Sequence, residues 1–517
     1  MKKNKYILIM ALCVSMLLSN CTNLDEEQLS QLREDEYPSA DNPVTFKLLV
    51  LESIVHLRQF VGNQRYWLML EGGTDECVIP TRGSGWGDGN QWRDLHKHEW
   101  TKAHPKFKDM WNWAYAGVSI TNKGLFKLKP VKDGPLKKNY EGQIRAMRAL
   151  YYFLLMDSFG NIPLVTSFED TSTPSTKPRV EIYNFLESEL KEISNDISPD
   201  VNAGSYGLPT KWFAHYLLAK LYLNAEVYAN KNEYAKAIEQ LDIVINSGKY
   251  QLAANYLSTF LPTNGPQDKE IIFSIVNEAS APGQQLNFQI RFLPGASPKA
   301  FGVNAGGWGG HATLPEFYNM FSDPTDQRNK QWLAGLIAEP SGVPIMNGNA
   351  QMNIINELRW GVADPANPFN VGGDQSTGNG TVQGVRSVKY RPDPNFATGQ
   401  QFMNNDYVMF RYADVVLMKA EAQLRLGLGS PLALVNSLRA IRTAAPRATL
   451  TLDNLLEERG LEFAYEHWRR NDLIRFGKWE GSWGLKTSSD PTRRLFPIPQ
   501  DILAVNPNLK QNPGYPQ

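Results

Sequence analysis

The chain has 517 residues, and 53 Lys and Arg balance 53 Asp and Glu, so it carries no net formal charge and no broad field to gather nucleic acid or an anionic membrane. Thirteen Trp, 21 Tyr and 23 Phe supply either core or flat surfaces on which a neutral ligand could stack.

Lys2, Lys3 and Lys5 precede an apolar run from Tyr6 to Leu18, too short to cross a bilayer and followed by small and polar residues. That pattern predicts an export signal over residues 1–20. Leu18-Ser19-Asn20-Cys21 resembles the bacterial lipobox, which implies an acylated Cys21 as the new N-terminus. Residues 21–36 read as a solvated tether, and the length and apolar content of the rest fit either about three domains or one large helical body. Cys13 leaves with the signal and Cys21 is acylated, so Cys77 has no disulfide partner. No later stretch is long enough to span a membrane, which leaves attachment to the lipid.

Helical periodicity dominates much of the chain beyond the tether. Trp111, Tyr115 and Val118 share one face. Ile144, Met147, Tyr151 and Leu154 mark a helix that Gly160 and Pro163 end, and its run Leu150–Met156 is apolar all round, as a fully buried helix requires. Ile182, Phe185, Leu186, Leu190 and Ile193 give a shorter partner. Two helical hairpins of tetratricopeptide size are predicted over 209–248 and 413–441. Between Glu278 and Asn405, 17 of the chain's 40 glycines and 11 prolines exclude long helices. Isolated strand pairs are expected from Ile271–Val276 and Val382–Tyr390. The fold class is mainly α with minor β: helical hairpins over about 105–250 and 406–470, and an irregular, loop-rich region over about 278–405 to hold a ligand.

Several blocks, in order, resemble the SusD/RagB family of Bacteroidota outer-membrane nutrient-binding lipoproteins. They are Thr74-Asp75-Glu76, Arg145 through Val165, Arg411-Tyr-Ala-Asp414 through Glu421, Glu458-Arg459, Glu466 through Gly477, and Phe496-Pro-Ile-Pro-Gln500 with Gln511-Asn-Pro-Gly-Tyr515. The resemblance implies a single domain over 37–517, built of four tetratricopeptide-like helix pairs supporting a more irregular ligand-binding half. It also implies a lipid-anchored, cell-surface location, with Asp25, Glu26 and Glu27 resembling the export signal of such lipoproteins. The implied partner is a SusC-like TonB-dependent β-barrel, and the ligand is a glycan, or a peptide in one branch of the family. A peptide receptor or tetratricopeptide-like interaction protein is therefore the alternative reading. No cofactor, metal or enzymatic activity is expected.

A sugar ring presents C–H groups on its faces and hydroxyls at its rim, so its site needs aromatics beneath and planar polar groups beside. The stretch Arg82 to Asp94 offers Trp86 and Trp92 with Arg82, Asp88 and Asn90, and its glycines are expected to project Trp86 outward. Trp308, within Ala-Gly-Gly-Trp-Gly-Gly, repeats the device and matches by position an aromatic that lines the ligand face in the family. Arg291 and Trp360 are further candidates. Trp67, Trp111, Trp113, Trp212 and Trp468 fall on helices and are assigned to the core. Glu458, Glu462 and Glu466 share a predicted helical face, but two acids one turn apart cannot flank a substrate. An ion-paired network with Arg459, Arg469 and Arg470 is expected instead. His96, His98 and His104 lack a third-ligand pattern and read as an exposed loop.

Overall fold

The computed structural model describes residues 43–62, 66–281, 286–362, 364–372, 382–395 and 402–517. The export segment 1–20, Cys21 and the tether 21–36 lie outside the described residues.

Helices α1 (Pro43–Leu57), α2 (Tyr66–Glu71) and α3 (Gln91–Lys97) precede a run of longer ones. Pro105 opens α4 (Pro105–Leu128), where its missing N–H costs no hydrogen bond, and His104 caps the same end by accepting from the Lys106 N–H. Then come α5 (Pro135–Phe159), α6 (Arg179–Ile193), α7 (Lys211–Leu223), α8 (Tyr234–Asn246) and the short α9 (Phe288–Phe292). The chain closes with α10 (Tyr412–Leu426), α11 (Pro431–Ile441), α12 (Leu452–Phe463) and α13 (Arg469–Arg475) among its helices. In the scaffold each helix packs on the next, α4 on α5, α5 on α6, α6 on α7, α7 on α8, α8 on α10 and α10 on α11. The predicted hairpins over 209–248 and 413–441 are α7 with α8 and α10 with α11. As its composition requires, Leu150–Met156 of α5 is buried on every side. One contiguous apolar core runs from Phe46 to Leu509 and takes in Trp67, Trp111, Trp113 and Trp212, which lie on helices as predicted, and Trp468, which is buried just before α13 rather than on a helix.

Among the described residues every sheet is two-stranded. Strand β1 (Cys77–Val78) follows α2. The longest pair joins β2 (Ile271–Ile275) to a strand over Tyr407–Arg411, antiparallel with Tyr407 opposite Ile275. Further pairs include β3 (Pro294–Gly295) with β4 (Gly307–Trp308), and β1 with β5 (Ala312–Thr313). The run Val382–Tyr390 contributes only Arg386–Ser387, paired with Trp332–Leu333.

Buried charge ties the sequence blocks together. Asp75 pairs with Arg469 at 2.6 Å, and Glu76 accepts from the Tyr465 N–H at 2.9 Å. Glu71 accepts from the His467 N–H. Tyr465 and His467 hold left-handed backbone (φ 61° and 62°), a conformation costly for side-chain-bearing residues, and the carboxyl oxygens of Glu76 and Glu71 accept from their N–H groups. Glu462 meets Arg328, Arg411 and Arg442 at 3.2, 2.6 and 2.8 Å, and Glu458 meets Arg328, Arg439 and Arg447. The expected ion-paired network exists, but with different partners. Arg459 serves Asp414 and Asp472, Arg469 serves Asp75, and Arg470 serves Asp157. Glu466 does not continue the α12 face, because the helix ends at Phe463; it pairs with Arg411 and Lys389.

The histidines read as an exposed loop are instead buried. His96 belongs to α3, His98 stacks on Trp479 with centroids 4.2 Å apart, and His104 caps α4. No group of three or more metal-ligating side chains is present among the described residues.

Candidate functional site

Two loops distant in sequence meet at the candidate site. The first starts at Arg82, whose backbone exchanges two 2.9 Å hydrogen bonds with Gly85 and so reverses the chain at once. Beyond the reversal Trp86, Asp88 and Asn90 all hold left-handed backbone, at φ 61°, 37° and 67°. Three such non-glycine residues in five are strained, and strain of this kind gathers at functional segments. The second loop is the β3–β4 hairpin, where Pro294 lies opposite Trp308 and Gly295 opposite Gly307.

Trp308 is the open aromatic surface of the site, 40% exposed. The Arg291 guanidinium lies 5.7 Å from its ring centroid, within cation–π range. Arg291 is itself nearly buried on α9, its Nε donating to Asn287 Oδ1 at 2.8 Å. Burial lowers its pKa to about 10, with the Asp88 carboxylate opposing the shift, so it stays cationic at neutral pH. Trp86 is half-buried; its indole Nε1 donates to the Trp308 main-chain oxygen at 3.3 Å, and its ring meets His311 edge-on at 5.8 Å. Burial, and next the Arg291 charge, hold the His311 imidazole well below its ordinary pKa and therefore neutral.

The glycines act differently from the sequence expectation. A Cβ on Gly310 would stand 2.3 Å from the Trp86 ring, and one on Gly307 would stand 1.7 Å from the Leu293 carbonyl oxygen. They permit close approach of chain to chain, seating Trp86 rather than pushing an indole outward.

Of the sequence candidates, Trp86, Trp308, Arg291 and Asp88 come together. Trp92 does not reach the surface: it is 1% exposed, because Trp92, Leu95 and His96 form the buried face of α3, and its Nε1 donates to Asp88 Oδ2 at 2.6 Å. Arg82 is likewise fully buried, since the reversal at Gly85 turns it inward, where it donates to the Gln383 and Gly310 carbonyls. It cannot reach a ligand hydroxyl. Trp360 stacks on Phe369, with centroids 5.5 Å apart and planes at 25°, and lies near His96 rather than Trp308. Asn90 is exposed at the far end of the first loop. Sequence reasoning missed His311, Asn287 and the role of Gly310; the signal for Trp92, its i, i+3, i+4 spacing with Leu95 and His96, was available. Glu458 and Glu462 are fully buried in ion pairs, which removes them as an acid pair across a sugar.

A family model described as "SusD family" matches residues 367–515, and a second, "Starch-binding associating with outer membrane", matches residues 24–223. The chain belongs to the SusD family. Among SusD-like relatives, the starch-binding protein SusD of Bacteroides thetaiotaomicron is 27% identical over 477 residues, 86% of this chain and 84% of that protein. SusD-like protein P38 of Formosa agariphila is 26% identical, over 78% of this chain and 79% of its own. Among solved structures, surface glycan-binding protein A from Bacteroides thetaiotaomicron, in complex with laminarihexaose, superposes with a TM-score of 0.72 at 21% identity, covering 90% of this chain and 98% of that one. A laminarin-binding SusD-like protein gives 0.70 at 21% identity, covering 92% and all of its chain. The SusD-like fold is thus shared along nearly the whole length.

Proposed function

We propose that the protein is a non-catalytic glycan-binding lipoprotein of the outer-membrane surface, which captures a neutral oligosaccharide and hands it to a SusC-like TonB-dependent β-barrel. The observation that carries the binding reading is the exposed Trp308 indole, held rigidly by Arg291 and by the Trp86 hydrogen bond to its main chain. An aromatic face fixed in place loses little entropy when a sugar stacks on it. Asp88, exposed and near the Arg291 guanidinium, offers a hydroxyl partner. Relatives named for binding starch and laminarin support the same ligand class, and the description "associating with outer membrane" supports the location. Anchoring through Cys21, the tether 21–36 and one folded domain over 37–517 complete the reading.

Isothermal titration of the purified protein with starch- and laminarin-derived oligosaccharides tests it. Dissociation constants of about a micromolar to a millimolar are expected, given that each stacking contact adds only about 0.5–1.5 kcal/mol beyond burial. Binding that Trp308→Ala and Trp86→Ala both leave intact would remove the proposed site.

A further inference from the structure

The strained loop that carries Trp86 has a second side. At its far end, Asn90 adjoins a cleft of about 660 Å³ walled by α3 and by the segment 366–369. That is within the range of about 300–1,000 Å³ typical of small-molecule sites. Asn90 lies four positions after Trp86, so their Cα atoms are at most about 14 Å apart.

The cleft's chemistry is that of a neutral polyol site. Its cations already have partners, Arg93 with Asp94 at 2.9 Å and Lys97 with Glu99 at 2.8 Å, so an acidic ligand would have to displace an ion pair. Asn367 and Thr487 line it as hydroxyl partners, and Leu485 adds an apolar patch. Its base is rigid, since Phe369 is buried and stacked on Trp360. Asn90 stands just before α3, where Asn ordinarily caps a helix, yet its left-handed backbone makes no side-chain cap hydrogen bond. Its exposed carboxamide lines the cleft instead.

We propose that this cleft binds the continuation of the oligosaccharide held at Trp308, so that the protein selects uncharged chains long enough to cross the 82–90 loop. This rests on the glycan-binding reading and adds a length requirement to it.

The test is a titration series with β-1,3-linked and α-1,4-linked gluco-oligosaccharides from disaccharide to hexasaccharide. Wild-type protein is expected to bind the hexasaccharide of its preferred series about tenfold more tightly than the disaccharide, as one or two additional contacts would give. Thr487→Trp, which fills the cleft from an exposed position, and Asn367→Ala should each reduce that length advantage several-fold and leave disaccharide affinity unchanged. Trp308→Ala should weaken every length alike. A length advantage that survives both cleft variants overturns the inference while leaving the Trp308 site standing. A failure of both series to bind at any length overturns the inference together with the reading beneath it.

Discussion

The indole nitrogen of Trp86 donates to the main-chain carbonyl of Trp308, 222 positions away, at 3.3 Å. Through this bond the residue expected to present an aromatic surface instead steadies the one that does. Trp86 can approach so closely only because Gly310 leaves room for its ring.

Gly310→Val should therefore displace Trp86 while leaving the scaffold folded. Overpacking of this kind costs about 1–3 kcal/mol of stability. Glycan affinity should fall in a titration and tryptophan fluorescence should shift, with the far-ultraviolet circular dichroism unchanged. Unaltered fluorescence and affinity would show that the Trp86 seat is not needed.

Trp308 and Trp92 should respond in opposite ways to truncation. Trp308→Ala removes an exposed ring, so affinity should drop about two- to twelvefold with thermal stability nearly unchanged. Trp92→Ala empties a buried site and frees Asp88, so it should destabilise the fold by about 3–5 kcal/mol. Chemical denaturation alongside calorimetric titration separates the two outcomes.

Glu71 should make stability fall with rising pH. Burial, and next the neighbouring Glu76, raise its pKa well above the usual 4.5, so the folded state favours the protonated acid. Its contribution is full below about pH 4.5 and is lost as pH climbs through the folded-state value. Glu71→Gln keeps the size and removes the titration, so its melting temperature should decline less than that of wild type between pH 6 and 9. Parallel profiles for the two proteins would rule out this role.

Glu462 should act at the other end of the scale. Burial alone would raise its pKa, but Arg442, Arg411 and Arg328 outweigh it and hold the carboxyl well below 4.5. Its stabilisation is present above about pH 4.5 and disappears as pH falls through that depressed value. Glu462→Gln leaves three buried guanidinium groups short of a counter-charge, an imbalance worth about 3–5 kcal/mol. A lower urea midpoint at pH 7, with a weaker loss of stability in acid, is the expected result.

The sequence by itself determined the scaffold and the family. Helical stripes such as Ala413, Val416, Leu417 and Ala420 are local signals, because i, i+3 and i+4 spacing places side chains on one face whatever the helix then meets. Placement on predicted helices, with the family resemblance for Trp111 and Trp113, assigned Trp111, Trp113 and Trp468 to the core. What sequence could not decide was which way a loop residue faces. Arg82, Trp86 and Trp92 lie within eleven positions and look alike as site candidates, yet the turn at Gly85 buries Arg82 and the α3 face buries Trp92. The glycines around Trp308 likewise signal freedom in sequence, whereas the fold uses Gly307 and Gly310 for close contact with the Leu293 carbonyl and the Trp86 ring. The Gly310–Trp86 contact joins two loops far apart in the chain, so only the packed tertiary structure singles out Trp308, among the tryptophans of the described residues, as the indole that stands open at this site.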